Sequence, residues 1–193
     1  MAPKTHTWIT AWFLLTAPII AWDVGYCFFT TSVYGGKHPH TNLTGVESGQ
    51  GGDLHWIWKP YSIYQRVDLV YGVEALERGD GFTNAQSLLN VIETLLNVLY
   101  VYLAHVKAWP PASLVGLSAA TMTLSKTVLY WVQEYFCNYC AVGHNTMYDA
   151  IVYWIIPNGF WIVVPIFIVN RLSRDLAAEL NFAAKAAAKS KSK

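Results

Sequence analysis

Charged residues are scarce in this chain. Asp, Glu, Lys and Arg make up 13% of its 193 residues, about half the roughly 25% of an ordinary soluble domain. Hydrophobic residues make up 54%. That balance excludes a conventional soluble core wrapped in a charged shell, and implies that lipid does part of the solvating. Cysteine is nearly missing as well, with Cys27 inside an apolar run and Cys137 and Cys140 forming a lone C-x-x-C pair. Three such residues make no disulfide framework. With no second pair, and His144 as the nearest His, the C-x-x-C also falls short of a zinc site, so no metal and no cofactor are expected. It reads as two small residues in a turn, able to bridge where the loop faces an oxidising compartment. The net charge is +1, no basic face is visible, and the basic residues cluster only near the end of the sequence. Nucleic acid is therefore set aside as a partner. No internal repeat occurs. The first apolar stretch is longer than the core of a signal peptide and lacks a small-x-small cleavage site, so it is expected to stay as a helix.

What is abundant is aromatic and apolar. Nine Trp and twelve Tyr suit a chain that crosses two membrane-water interfaces, where amphipathic rings collect. Four stretches reach the ~20 residues needed to span a hydrocarbon core: residues 8–30, 87–106, 112–136 and 150–172. Lys107-Ala-Trp-Pro-Pro111 separates the second from the third, and its prolines end one helix and permit a tight antiparallel return. The fold class is thus an all-α membrane protein, a bundle of four transmembrane helices. Residues 1–172 form the membrane domain and residues 173–193 a basic tail. The long first connection holds a loop rich in Gly, His and Ser. An amphipathic helix follows, in which aromatics alternate with Lys59, Arg66, Asp68 and Glu74, and which covers the mouth of the bundle.

Lys4, Lys107, Arg171 and Arg174 flank the spans on one side, whereas the connection 138–148 has no Lys or Arg. Both termini are therefore expected in the cytosol, with the first connection lumenal. Asn42-Leu-Thr44 is a glycosylation sequon in that connection. The ending Lys189-Ser-Lys191-Ser-Lys193 looks like a dilysine retrieval signal. Together these place the chain in the endoplasmic reticulum membrane, in contact with membrane lipids. Whether two copies pair as a homodimer is left open.

A charge near the bilayer centre costs at least ~2.5 to 3.5 kcal/mol on insertion scales, so each one is a functional hypothesis. Asp23 lies in the first span between Trp22 and Tyr26, Glu93 in the second between Asn90 and Asn97, and Lys126 in the third. Asn90, Glu93 and Asn97 follow i, i+3, i+7, one helix face that should point inward. Lys126 and Glu134, two turns apart on roughly one face, offer Lys126 as an ion-pair partner for a carboxylate. In the fourth span Pro157 and Pro165 should bend the helix and free carbonyls beside Asn158. Such residues suit acid-base chemistry through a carbocation. A buried carboxyl keeps its proton until needed, and a Trp face attracts a cation. The plainer alternative is that they tie helices together.

These residues resemble the emopamil-binding protein family, the sterol delta-8 to delta-7 isomerases and the sigma-2 receptor-like proteins that share the EXPERA domain. The likeness runs from about residue 8 to 172. It rests chiefly on Asn158-Gly-Phe-Trp161 followed by an apolar run and Pro165. Trp58-Lys-Pro-Tyr61, Glu93-Thr94, Val128-Leu-Tyr130 with Glu134, and Gly143-His144 support it. Asp80-Gly-Phe-Thr-Asn-Ala-Gln86 looks like a fungal branch, some of whose relatives are terpenoid cyclases or isomerases. The resemblance implies a cavity that takes a hydrophobic small molecule: a sterol, a terpenoid or a cationic amphiphile. Asp23 and Glu93 would be its acid and base. Trp22, Tyr26, Asn90, Asn97, Lys126, Tyr130, Asn158 and Trp161 would hold the ligand, and Asp68 and Glu134 are weaker candidates. Two positions depart from the family: Ile19 stands where the isomerases carry a His, and Leu96 where they carry a Thr. The expected function is a sterol or terpenoid isomerase or cyclase of secondary metabolism; the alternative is a sterol- or lipid-binding protein that catalyses nothing.

Overall fold

The computed structural model describes residues 4–29, 55–72, 74–75 and 78–191. No strand occurs among them. The elements are α1 (Thr7–Phe29), α2 (His55–Trp58), α3 (Tyr61–Val67), a 3-10 turn (Leu69–Tyr71), α4 (Phe82–His105), α5 (Ala112–Phe136) and α6 (Met147–Lys191). Four helices, α1, α4, α5 and α6, are long and apolar enough to cross a membrane. The protein is an all-α, four-helix membrane protein. Leu15, Leu95, Leu129 and Phe167 point outward and are exposed, as expected where lipid is the solvent.

Inside a bilayer apolar burial does not drive helices together, and close van der Waals packing must do so. α1 packs on α4, α4 on α5 and α5 on α6. The contact is close because Ala104, Ala112, Ala119 and Ala120 are small and buried. Gly116 is the tightest point: a Cβ there would stand 2.8 Å from the Tyr100 ring and 3.1 Å from Leu172 Cδ1. Between α4 and α5 the return is short, with Trp109 N–H donating to Leu103 O at 2.9 Å and Pro111 preceding the first turn of α5.

The expected spans 8–30 and 112–136 correspond to α1 and α5. The other two are longer than read. α4 begins at Phe82 rather than 87, with Gly81 as its N-cap and the Asp80 carboxylate, one residue earlier, accepting the Phe82 N–H at 2.9 Å inside what reads as a polar turn. α6 runs to Lys191 without breaking at residue 172, so the stretch 173–191 continues the helix. Its Ala, Lys and Glu residues are good helix formers. Asp175 also fastens it to the start of α1, accepting from His6 at 2.6 Å and from Arg171 at 3.1 Å.

The single amphipathic helix expected in the first connection is instead a broken strap. Pro60 separates α2 from α3. Asp68 takes an extended backbone, φ −126° and ψ 104°, and its side chain caps the 3-10 turn by accepting from Val70 N–H at 3.1 Å. The strap is bolted to α1. Trp22 Nε1 donates to Ile57 O and Trp58 Nε1 to Trp22 O, each at 2.9 Å, and the Tyr26 ring stacks on Tyr61 at 3.7 Å. On its other side the loop after α5 holds it, with Leu69 N–H donating to Ala141 O and Asn145 Nδ2 to Val67 O. Asn42 lies outside the described residues.

Candidate functional site

Two polar networks meet beneath the strap. The first crosses α1, α4 and α5. Asp23 Oδ1 accepts the Tyr61 hydroxyl in a short hydrogen bond, and Asp23 Oδ2 accepts Asn90 Nδ2 at 3.4 Å. The carbonyl of Asn90 accepts from Lys126 Nζ, which lies 3.1 Å from Glu93 Oε2. Asn90 and Glu93 share one face of α4, as their spacing requires, and both are buried. An isolated carboxylate here would be costly, and the ammonium group 3.1 Å away offsets that cost. Lys126 thus answers Glu93 rather than Asp23.

The second network joins the strap to α5 and α6. Asp68 is fully buried. Its Oδ2 accepts the Tyr130 hydroxyl in a short hydrogen bond and Trp154 Nε1 at 3.2 Å. Trp154 Nε1 also donates to the Tyr130 oxygen at 2.8 Å, and the Tyr130 and Tyr64 hydroxyls lie 3.3 Å apart. Asn158 Nδ2 donates to the Tyr64 oxygen at 3.3 Å and to Trp154 O at 2.9 Å. Burial pushes the Asp68 carboxyl up to about 7, against hydrogen bonds from Val70 N–H and the Trp154 indole; the Glu134 carboxylate adds to the rise. Burial likewise holds the Tyr64 phenol well above its ordinary range. The aim of α6 into this network comes from its entry. Thr146 caps the first turn, a wider π turn spans Ala150–Ile155, and Pro157 follows it. π turns of this kind accumulate at functional sites.

Both networks surface in one cavity of about 460 Å³, within the size range of sites for drug-sized ligands. Its wall is mostly aromatic and aliphatic. Ile19, Ile63, Tyr153 and Pro157 line it and are also exposed on the outside of the molecule, so it opens onto the apolar flank of the bundle. No family model matches the chain, and no curated protein matches it.

Of the residues singled out from sequence, Trp22, Asp23, Asn90, Lys126, Tyr130, Asn158 and Trp161 line the cavity. The others do not. Glu93 is reached only through Lys126. Tyr26 lies behind Tyr61 and donates to Tyr71 O at 3.1 Å. Asn97 is buried further along α4, its Oδ1 without a hydrogen-bond partner among the described residues. Asp68 stands behind Tyr130 and Trp154. Glu134 is structural, its Oε2 accepting the N–H groups of Ala141 and Val142 at 3.2 Å each. Cys137 and Cys140 are bridged. Their sulfurs and the Glu134 carboxylate are close enough to share a metal ion, but a disulfide offers no thiolate ligands. Sequence reasoning missed Tyr61, Tyr64 and Trp154. Tyr61 and Tyr64 stand i, i+3 on α3, a spacing that was there to be used. Nothing near Trp154 in sequence points to Asp68, 86 residues away.

Chemically, the cavity offers one carboxylate among the described residues that line it, Asp23, held by a phenol and an amide. Around it are ring faces able to meet a positive charge. Trp161 is braced by an edge contact with Trp12 at 5.4 Å.

Proposed function

We propose that this protein is a membrane-embedded isomerase or cyclase that acts on a sterol or terpenoid by acid-base chemistry through a carbocation. The observation that carries this reading is Asp23: a carboxyl placed by Tyr61 and Asn90 on the wall of an aromatic cavity that opens toward lipid. Protonated Asp23 gives its proton to a substrate double bond, and the aromatic faces stabilise the cation that forms. Tyr61, Tyr64 and Tyr71 of the strap line the cavity and shield the cation from capture by water during turnover. The resemblance to the emopamil-binding protein family supports the same substrate class. The endoplasmic reticulum membrane with both termini cytosolic is part of the proposal. The basic residues flanking the spans support it, as does the Cys137–Cys140 bridge, which suits a lumenal loop.

A second reading, a sterol- or lipid-binding protein without catalysis, is favoured by one fact. Glu93, the second carboxylate singled out from sequence, is locked to Lys126 and does not line the cavity. Purification from its native membrane followed by mass spectrometry of the bound lipids separates the two. The isomerase reading predicts substrate and product together on the wild type, and substrate alone on Asp23→Asn. One unchanged lipid on both proteins supports the binding reading instead.

A further inference from the structure

An isomerisation begun by Asp23 needs a second group to take a proton away, and no other carboxylate among the described residues lines the cavity. Glu93 is tied up with Lys126. Asp68 is also out of reach, but it is wired to the cavity. Tyr64 lines the cavity, its hydroxyl meets that of Tyr130 at 3.3 Å, and Tyr130 donates to Asp68 Oδ2. We propose that Asp68 is the terminal base of the reaction, receiving a proton from the substrate cation along Tyr64 and Tyr130. This inference rests on the catalytic reading above.

The direction of the hydrogen bonds fits a base. Asn158 Nδ2 donates to the Tyr64 oxygen, which orients the Tyr64 hydrogen toward Tyr130, and Tyr130 in turn donates to Asp68. When a carbon beside the cationic centre gives up its proton, the C–H pair becomes the new double bond and the proton joins the Tyr64 oxygen. The Tyr64 hydrogen passes to the Tyr130 oxygen, and the Tyr130 hydrogen to Asp68 Oδ2. The carboxylate becomes a carboxylic acid, both tyrosines end neutral, and the substrate ends as an uncharged alkene. Asp23 has given one proton and Asp68 has gained one. Exchange with water resets both, and no other reactant is used. Trp154 Nε1, which touches Asp68 and Tyr130 alike, holds the wire in place before and after transfer. It is a positioning residue.

The groups around Asp68 allow such a cycle. Burial holds the Tyr64 and Tyr71 phenols of the strap well above their ordinary range, Tyr130 of α5 donates to Asp68, and the Glu134 carboxylate of α5 acts on it from a distance. Arg66 and His144 meet at the strap backbone, where the His144 ring contacts Arg66 O at 2.6 Å. With its carboxyl at about 7, Asp68 is ionised above that pH and protonated below it. A base must be ionised, so turnover rises with pH through about 7 and then levels.

The test uses the full chain in lipid nanodiscs and two readouts. The first needs no substrate: after transfer to heavy water, the infrared carboxylic-acid band absent from Asp68→Asn is followed as it exchanges. Exchange at least about tenfold slower in Tyr64→Phe and Tyr130→Phe than in wild type is expected; an unchanged rate in Tyr64→Phe overturns the relay whatever the turnover shows. The second is the pH profile of turnover on a sterol with a ring double bond and on farnesol. Tyr64→Phe and Asp68→Asn should lose about 100-fold or more in rate, with binding unchanged and the rise through pH 7 gone. Wild-type rate and profile in either variant overturn the proposal. Slowed exchange in Tyr64→Phe with no turnover by the wild type overturns Asp68 as a reaction base through the catalytic reading alone, with the wire itself upheld.

Discussion

At the scale of single residues, the Glu93–Lys126 pair decides whether α4 and α5 can share a lipid-filled environment. Both side chains are nearly buried, and the 3.1 Å contact leaves Glu93 dependent on Lys126. Removing one partner of a buried pair strands the other charge, at a cost of roughly 3–5 kcal/mol. Lys126→Met is therefore expected to lower the thermal unfolding temperature sharply, and adding Glu93→Gln to recover most of the loss. A full effect in the double variant would show that Lys126 acts by packing instead. Asp23, Asn90 and Lys126 were legible in the sequence because a charge or amide in an apolar span stands out against its neighbours. Which carboxylate Lys126 answers was not legible, since i, i+8 spacing to Glu134 and a cross-helix approach to Glu93 look alike in one dimension. Glu134 faces the other way because the turn after α5, with Asn138 and Tyr139 at positive φ, brings the Ala141 and Val142 N–H groups back onto it.

At the scale of elements, close approach of α4, α5 and α6 depends on one missing side chain. A methyl group at Gly116 would press on the Tyr100 ring at 2.8 Å, and overpacking of this kind costs typically ~1–3 kcal/mol. Gly116→Ala should lower the unfolding temperature in detergent, and Gly116→Leu should lower it further; equal stability of all three would mean that the helices are free to separate. The existence of α1, α4, α5 and α6 was readable from apolar length alone. The ends of α4 and α6 were not. At α4 the Asp80 carboxylate bonded to the Phe82 N–H sits where the composition looks like a turn, and at α6 strong helix formers carried the helix past its last apolar residue. The strap was misread as one helix because Asp68, a residue of a kind found on any amphipathic surface, turns inward to the Tyr130 and Trp154 side chains. That partnership joins parts of the chain 62 and 86 residues apart.

At the scale of the whole molecule, the strap, the bundle and the cavity form one arrangement. The bundle supplies an apolar flank, which in the proposed function is the route for a hydrophobic substrate. The strap closes the polar end and carries Tyr61, Tyr64 and Asp68, while α6 brings Trp154, Asn158 and Trp161 to the same place. The central claim is that a carboxyl on the cavity wall transfers a proton to a hydrophobic substrate. The most direct measurement is deuterium uptake: the protein, in nanodiscs made up in heavy water, is given a sterol with a ring double bond and farnesol, and the recovered lipid is analysed by mass spectrometry. One carbon-bound deuterium per turnover in an isomerised or cyclised product, present with wild type and lost with Asp23→Asn, is the predicted result. Lipid recovered unchanged and without deuterium from the wild type, or equal deuterium uptake with Asp23→Asn, would contradict the account.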